Sequence, residues 1–166
     1  MIPPPTPPDE QKRLAALRSL DILDTPAEDR FDRLTRLAQR TFGVPIALIS
    51  LVDEKRQWFK SCQGLSATET PRDISFCGHA ILEGALMVVP DATEDPRFHD
   101  NPLVTGAPHI RFYAGQPIEG PDGSRLGTLC LADVVARDLD PEQRRALRDL
   151  AGLVQEQLAM NPGKSA

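Results

Sequence analysis

The segment VPIALISLV, residues 44–52, restricts the fold of this chain more than any other stretch of its sequence. It is almost continuously apolar, whereas a strand with one face in water alternates between apolar and polar residues. A membrane-spanning helix would need roughly 18 apolar residues in a row, about twice this length. We therefore predict a β-strand that is covered on both faces, in a sheet that carries further layers of structure on each side.

Four further segments predict strands that complete this sheet. RQWFKSC (56–62) alternates in polarity, which indicates a more exposed neighbouring strand, and residues 86–90 form a short one. HIRFYAGQPI (109–118) and RLGTLCLAD (125–133) flank the turn sequence Gly120–Pro121–Asp122–Gly123, in which proline sets φ and glycine permits a positive φ. These last two segments are predicted to form an antiparallel hairpin.

Helical patterns stand at both ends of the chain. Residues 9–22 have helical apolar spacing, and Thr25–Pro26–Ala27–Glu28 reads as a capping box that starts a second helix ending near Gly43. Asp140–Pro141–Glu142–Gln143 repeats this start for a final amphipathic helix. Residues 91–108 form a long irregular connection, which is often functional in a compact domain. The pattern predicts an α+β domain with an antiparallel sheet, terminal helices on one face and the middle segment over the other.

Length and proline distribution predict one domain with two unstructured ends. A chain of 166 residues is ordinary for a single domain with its own core. Residues 1–8 contain five prolines, which predicts a disordered, extended arm. We expect the folded domain at 9–160 and a flexible tail at 161–166.

Composition and charge exclude several classes of function. The net charge of −5 leaves no basic surface for nucleic acid. The sequence shows neither a signal peptide nor an apolar run long enough to span a membrane. Cys62, Cys77 and Cys130 contain no CxxC pair and form no disulfide framework, which favours a reducing compartment. We expect a soluble, cytoplasmic protein that binds neither nucleic acid nor membrane.

The segment SFCGHAI, residues 75–81, places a cysteine close to a histidine. Ser75 suits the N-cap of a short helix, 76–82, and this puts Cys77 in the first turn, where a thiolate is favoured. Cys77 is therefore the most reactive candidate of the three cysteines. Residues two apart on a helix point in nearly opposite directions, so Cys77 and His79 should not hold one metal ion or bond each other. We expect Cys77 to pack inward, and we predict no metal site.

The other cysteines and histidines give weaker signals. Cys130 lies between leucines in the predicted hairpin and reads as core, while Cys62 ends a strand and should be half exposed. A catalytic cysteine–histidine pair would require His99 or His109, which the sequence does not place. We predict no catalytic residue.

A polar stripe is expected on the strand that begins at residue 109. Alternation places His109, Arg111 and Tyr113 on one face of this strand. Two roles for Arg111 stay open: it binds an anionic group of a ligand, or it pairs with a carboxylate of the loop. The loop carboxylates in question are Asp91, Asp95 and Asp100.

Six phrases of the sequence, in this order, are similar to those of the GAF domain family. They are LDILDTPAEDRFDRLTRLA (20–38), GVPIALISLVDEKRQWFKS (43–61), TPRDISFCGHAI (70–81), VVPDATEDPRFHDNPLV (88–104), HIRFYAGQPI (109–118) and GTLCLAD (127–133). The chain most resembles the bacterial subgroup that precedes cyclase or histidine-kinase outputs. The resemblance implies a sheet of five or six strands, terminal helices that commonly form a dimer bundle, and a cavity between the sheet and the middle loops. Such cavities bind a cyclic nucleotide, a haem, a bilin or a small metabolite, or nothing.

From this resemblance we expect a non-catalytic sensory or regulatory domain of bacterial signal transduction. The chain departs from the family pattern in that its last helix ends in NPG, so we expect either a stand-alone protein, which we favour, or a piece excised from a larger one. The domain would bind a small ligand or a signalling partner, and would dimerise through its terminal helices. The residues expected around the cavity are Trp58, Arg72, Phe76, Cys77, His79, Phe98, His109, Arg111 and Tyr113.

Two alternatives stay open at the level of sequence, and the identity of any cofactor stays unknown. One is a cysteine-dependent enzyme of the free methionine-sulfoxide reductase type, although the motifs that flank the cysteines do not match that family. The other is a bilin or haem binder that uses Cys77 or a histidine. The usual linkage motif has the cysteine and histidine adjacent, whereas Gly78 separates them in this chain.

Overall fold

The computed structural model of this chain describes residues 1–160, and the strands within them form one six-stranded antiparallel sheet. The strands are β1 (Ile46–Val52), β2 (Arg56–Gln63), β3 (Glu69–Pro71), β4 (Met87–Val89), β5 (Phe112–Glu119) and β6 (Arg125–Asp133). The helices are α1 (Glu10–Ser19), α2 (Asp29–Phe42), α3 (Phe76–Ala80), α4 (Pro102–Thr105) and α5 (Pro141–Ala159). The predicted tail, 161–166, lies outside the described residues.

The sheet has the order β3-β2-β1-β6-β5-β4, with β1 and β6 at its centre. Every residue of β1 is buried, which confirms the prediction made from its continuous apolar run. The predicted hairpin is also present, because β5 and β6 pair in antiparallel fashion. The short strand β3 was not predicted, because residues 63–74 carry no clear alternation.

One face of the sheet is covered by the long helices α2 and α5. The apolar stripe of α2 includes Phe31 and Ala38, that of α5 includes Leu147 and Val154, and all four are buried in one cluster with the sheet. Burial of each large apolar side chain contributes roughly 1.5–3 kcal/mol relative to exposure. The opposite face is covered by α3, α4 and the connection between β4 and β5, in a second apolar cluster.

The start of α2 differs from the prediction. Its N-cap is Glu28 and its side chain makes no capping bond, so the predicted capping box at Thr25 is wrong. The hydroxyl of Thr25 instead accepts a hydrogen bond from Lys60 Nζ at 2.8 Å. A buried ammonium needs acceptors, and Lys60 takes this one from the chain that precedes α2. The predicted cap of α5 is present, because Asp140 and Gln143 exchange hydrogen bonds of 2.8 and 2.9 Å.

The strand β5 begins at Phe112 rather than at residue 109. Residues 106–109 form a turn in which the amide of His109 donates to the Gly106 carbonyl at 2.7 Å, and His109 has a φ of 63°. This left-handed conformation interrupts the extended backbone. His109 is exposed, so it does not share a strand face with Tyr113 as predicted.

The proline-rich arm lies against the α3 side of the molecule. The amide of Ile2 donates to the Arg97 carbonyl at 3.2 Å, and the Ile2 carbonyl is 2.8 Å from His79 Nε2. The disorder expected for residues 1–8 stays a prediction. Among the described residues, the helices are too short or too polar to cross a membrane.

Candidate functional site

A cavity of about 360 Å³ lies between the sheet and the loops that cover its α3 side. Residues of the sheet, of the helices α3 and α4, and of the connecting loops line it: Ile46, Leu48, Gln57, Phe59, Gly64, Leu65, Ser66, Ala67, Thr70, Phe76, Cys77, Leu103, Ala107, Pro108, Ile110, Tyr113, Cys130 and Ala132. Its mouth is bordered by residues 64–67 and 107–108, since Ala67 and Ala107 are exposed. A cavity of this size accommodates a small organic molecule.

The helix α3 holds three predicted residues in position on this side of the sheet. Ser75 caps it as predicted, because its hydroxyl accepts a hydrogen bond from the Gly78 amide at 2.9 Å. Phe76 and Cys77 line the cavity, whereas His79 points to the arm. The prediction that Cys77 and His79 face apart is confirmed by these contacts. Burial lowers the pKa of His79, an effect that its hydrogen bond to the Ile2 carbonyl only partly offsets.

Tyr113 and Cys77 meet across the cavity floor. The Tyr113 hydroxyl is 3.2 Å from Cys77 Sγ, and the Thr128 hydroxyl is 3.1 Å from the same sulfur. The sulfur of Cys130 is 3.9 Å away. Both thiols are 2% exposed, which agrees with the inward packing expected for Cys77 and the core position expected for Cys130.

These contacts shift the pKa values of the Cys77 and Cys130 thiols in opposite directions. Burial raises the pKa of Cys77, but hydrogen bonds with Cys130, Thr128 and Tyr113 stabilise its thiolate and lower the pKa to about 6. The pKa of Cys130 is raised well above its ordinary value by its hydrogen bond to Cys77 and by burial. Burial likewise raises the pKa of Tyr113, so that its hydroxyl remains protonated and able to donate.

A second polar group in the cavity was not predicted. The amide of Gln57 donates to the Thr70 hydroxyl at 2.6 Å, and its oxygen accepts from Ser50 at 3.2 Å. Both Gln57 and Thr70 line the cavity. The alternation in RQWFKSC places Gln57 on the same side as Phe59, and this signal was available in the sequence.

Four predicted residues lie away from the cavity. Trp58 packs among the residues that α2 and α5 cover, because it points to the sheet face opposite to Phe59. Arg72 pairs with Glu10 of α1, and it donates to the Asp53 carbonyl at 3.0 Å. His109 is exposed beside the mouth, as a consequence of the turn described above.

Arg111 is the fourth of these residues. It donates to the carbonyls of Val104 and Ile110 at 3.0 and 3.1 Å, rather than to any of the three carboxylates considered for it. It therefore ties α4 to the chain that enters β5. The carbonyls at the end of a short helix have no partners within that helix, which explains why a guanidinium satisfies one of them.

Phe98 supports the cavity from behind. Its ring stacks on Phe76 with 4.0 Å between centroids and an interplanar angle of 9°, and the edge of His79 meets it at 5.0 Å. Phe98 is not among the described residues that line the cavity, but it packs against Phe76, which does line it. Of the nine residues expected at the cavity, the structure thus places Phe76, Cys77 and Tyr113 on its surface, with His79 and Phe98 behind.

The lining of the cavity is uncharged. Among the described residues its polar side chains are an amide, hydroxyls and thiols, and neither a carboxylate, a cation nor an imidazole lines it. The same part of the chain contains no cluster of histidine, cysteine and acidic residues that could hold a metal ion. Hydrogen bonding and apolar contact are therefore what this cavity offers to a bound molecule, together with the chemistry of two thiols.

Comparison with known proteins places these features in context. The family model described as "GAF domain" matches residues 26–158. A cyclic di-GMP phosphodiesterase of Pseudomonas aeruginosa is 45% identical over 153 residues, which make up 92% of this chain. The same match covers 25% of that protein, so this chain spans a quarter of the length of its relative.

Two solved structures share the fold. The GAF domain from the Acinetobacter phosphoenolpyruvate-protein phosphotransferase has a TM-score of 0.70 at 18% identity, over 93% of this chain and 97% of that chain. The free methionine-R-sulfoxide reductase from Neisseria meningitidis has a TM-score of 0.64 at 19% identity, over 90% and 92%. At these identities the similarity shows a common α+β architecture, which hosts both regulatory domains and enzymes.

Proposed function

Because this chain belongs to the GAF domain family, we propose that it is a sensory or regulatory domain of bacterial signal transduction that binds a small ligand in its cavity. The observation that carries this proposal is an uncharged cavity of about 360 Å³ whose lining includes the exposed residues Ala67 and Ala107. A pre-formed apolar cavity with a few polar groups is typical of small-molecule sites. Free thiols at all three cysteines suit the reducing conditions of the cytoplasm, where we propose that it acts.

The lining defines the class of ligand. Transfer of an ionised group into an apolar site without a partner is strongly unfavourable, and the described lining offers no opposite charge. The ligand is therefore uncharged and mainly apolar, with a group that hydrogen-bonds to Gln57 or Thr70. Arg111, for which binding of an anionic group was one of the two roles considered, donates to the Val104 carbonyl instead, and Arg72 makes its hydrogen bonds outside the cavity.

The alternatives fit this lining less well. Free methionine sulfoxide carries an ammonium and a carboxylate, and cyclic nucleotides and tetrapyrroles carry phosphate or carboxylate groups. Each of these ligands would bury a charge against uncharged walls. None of His79, His99 and His109 belongs to the described lining, so a histidine is not in place to bind a haem iron there.

The test is a comparison of uncharged and anionic ligands. A panel of each is screened by thermal shift, and hits are verified by native mass spectrometry. A saturating uncharged ligand should raise Tm by roughly 5–10 °C, since a ligand at a hundred times its Kd stabilises by about 2.7 kcal/mol. The variant Ala132→Leu, which fills the cavity, should lose this shift. Shifts from cyclic nucleotides alone, or shifts that survive Ala132→Leu, would reject the proposal.

We also propose that the partner in solution is a second copy. The dimer was expected through the helices at 9–22 and 140–160, and we propose contact through α2 and α5 instead. Leu37 and Leu153 are 47% and 44% exposed and line one groove on these helices. Leu37→Glu with Leu153→Glu should convert a dimer to a monomer by light scattering, whereas Val135→Glu, at an exposed site outside the helices, should not. A wild-type monomer at tens of micromolar contradicts the proposal.

The similarity to the Pseudomonas aeruginosa phosphodiesterase also suggests which activity this domain regulates. The similarity to a cyclic di-GMP phosphodiesterase supports a signalling partner that turns over cyclic di-GMP. The comparison to make is phosphodiesterase activity of such a partner with and without this chain, and again with the bound ligand. Activity that responds to neither addition would exclude this pairing.

A further inference from the structure

Two cysteine thiols meet at the floor of the cavity, on different elements of the fold. Cys77 belongs to α3 and Cys130 to β6, their sulfurs are 3.9 Å apart, and both line the cavity. We propose that Cys77 and Cys130 form a peroxide-reactive dithiol, which an uncharged hydroperoxide reaches through the cavity and oxidises to a disulfide. This chemistry requires access to the cavity and does not depend on the regulatory role proposed above.

The surroundings of the pair assign different roles to the two thiols. The hydroxyls of Tyr113 and Thr128 lie 3.2 and 3.1 Å from Cys77 Sγ, so both can donate to a thiolate at this position. Hydrogen bonds to an ionised group are stronger than those between neutral groups. The pKa of Cys77 is lowered and that of Cys130 is raised, in agreement with this geometry. Cys77 is thus the attacking thiol and Cys130 the resolving thiol.

The reaction proceeds in two balanced steps. The Cys77 thiolate attacks one peroxide oxygen, an S–O bond forms as the O–O bond breaks, and the alkoxide leaves as the alcohol with the proton that Cys77 had released. Cys130 then attacks the sulfenic sulfur, an S–S bond forms as the S–O bond breaks, and the hydroxyl leaves as water with the Cys130 proton. The two electrons lost by the thiols reduce the peroxide bond. Two molecules of a small thiol then reduce the disulfide to the dithiol by thiol–disulfide exchange and are themselves joined in a disulfide.

The third cysteine is not part of this pair. Leu48 of β1 pairs with Cys62 on one side and with Cys130 on the other, so two strand spacings of about 4.8 Å separate these cysteines. The sulfurs of Cys77 and Cys130 are 3.9 Å apart, and a disulfide brings two sulfurs to about 2 Å. The two strand spacings keep Cys62 farther from Cys130 than this. Burial also raises the pKa of the Cys62 thiol.

The cavity selects the oxidant. The route from the exposed mouth to the thiols passes uncharged, mainly apolar side chains such as Phe59, Leu103 and Ile110. An uncharged organic hydroperoxide gains apolar contact along this route, whereas a peroxide that carries a charge must lose its hydration. We therefore expect tert-butyl hydroperoxide to oxidise the pair, and a charged peracid anion to react more slowly.

The experiment follows the thiols of the full chain. The reduced protein is treated with tert-butyl hydroperoxide, alkylated, digested and analysed by mass spectrometry. Two of the three thiols should be lost per chain, in a peptide that joins Cys77 to Cys130 and loses two hydrogen atoms in mass. Cys62→Ser should lose the same two thiols. A disulfide that contains Cys62, or a folded protein that keeps all three thiols, would overturn the proposal.

Three further variants test the roles of the thiols and the route of the oxidant. In Cys130→Ser, dimedone should trap a sulfenic acid at Cys77, and labelling at Cys62 instead would contradict the assignment. Measured at pH 5, below the pKa of Cys77, Thr128→Val should slow oxidation several-fold, because loss of a hydrogen bond to the thiolate raises that pKa and lowers the fraction of thiolate. Ala132→Leu should slow oxidation by the organic hydroperoxide, and an unchanged rate would reject the route through the cavity. If Cys77 and Cys130 are oxidised to a disulfide but no ligand of the thermal-shift panel binds, the thiol chemistry is supported and the proposed sensory role is not.

Discussion

The position of the Tyr113 side chain depends on a residue that has no side chain. Gly115 lies two residues along β5, on the same face, and a Cβ there would overlap the Tyr113 hydroxyl and ring. The phenol can therefore lie along the strand and reach Cys77. This contact follows from the alternation of β5, but the direction in which the ring leans is a matter of packing.

We expect Gly115→Ala to destabilise the protein by about 1–3 kcal/mol, the usual effect of an added methyl group in a packed site. It should also displace Tyr113 from Cys77 and slow oxidation of the thiol pair. Urea unfolding measures the first effect. Gly152→Ala is the matched control, because a Cβ at that site in α5 meets nothing within 4 Å and should stabilise by about 0.5–1 kcal/mol. Equal effects of the two substitutions would contradict this explanation.

Lys60 is a cation buried beneath the chain that enters α2. Its ammonium lies 2.8 Å from a Glu28 carboxylate oxygen, 2.8 Å from the Thr25 hydroxyl and 2.6 Å from the Pro26 carbonyl. Its side chain is fully covered. Alternation along β2 places Lys60 on the same face as Trp58, toward α2, and a bulge leaves it without a partner in β1.

Lys60→Met should lower the free energy of unfolding by roughly 1.5–3 kcal/mol, because it removes the hydrogen bonds of a buried ammonium to three acceptors while keeping the apolar stem. Chemical unfolding provides the measurement. Arg36→Met, which removes an exposed ion pair with Asp29, should cost less than about 1 kcal/mol. If both variants lose the same stability, the buried contacts of Lys60 are not the cause.

At the scale of elements, one carboxylate joins α1 to the turn at residues 72–74. Glu10 accepts hydrogen bonds from Arg13 of its own helix and from Arg72. Burial raises the pKa of Glu10, but the two guanidinium groups outweigh it and lower the pKa below its ordinary value. Arg72 therefore serves the packing of α1, which explains its distance from the cavity.

This lowered pKa predicts a loss of stability in acid. A carboxylate with a depressed pKa contributes stability above its ordinary pKa, about 4.3 for glutamate, and loses it as the pH falls through the lower folded value. Glu10→Gln should therefore lower the free energy of unfolding at pH 7. It should also weaken the fall of that free energy as the pH drops below about 4.3. Urea midpoints at several pH values test it. Arg72→Gln should have a similar effect, and fully additive losses in the double variant would show that the two residues act separately.

At the scale of the whole molecule, the sheet separates two apolar clusters. The strands β1 and β6 are paired on both edges and covered on both faces, whereas β3 and β4 are short and lie at the edges. Opening of the central strands requires the loss of both clusters, while an edge strand can open alone.

Amide hydrogen exchange should therefore be slowest in β1 and β6 and fastest, among the strands, in β3. Mass spectrometry or NMR of the exchanging protein would measure this order. The central strands should exchange at a rate set by global unfolding, so that Gly115→Ala accelerates them in proportion to its loss of stability. Protection of β3 equal to that of β1 would contradict the layered account.

The fold itself was largely predictable from local patterns. The continuous apolar run at 44–52 requires cover on two faces, the alternation and turn at 109–133 require a hairpin, and Ser75 and Asp140 mark two helix starts. Each of these signals depends on residues that are close in sequence, and each is found in the structure. The exception at Thr25 arises because Lys60, distant in sequence, takes the hydroxyl that the local pattern assigns to a cap.

The contents of the cavity were predictable only in part, because they depend on contacts between distant segments. Alternation shows that Trp58 and Phe59 point to opposite faces, but the packing of α2 and α5 decides which face is which. A turn with a positive φ takes His109 out of β5, and this depends on how the connection folds back on α4. The approach of Cys77 to Cys130 joins residues 53 positions apart. Periodicity specifies the face on which a side chain lies, whereas the partner it meets there depends on the registers and loops that bring the layers together.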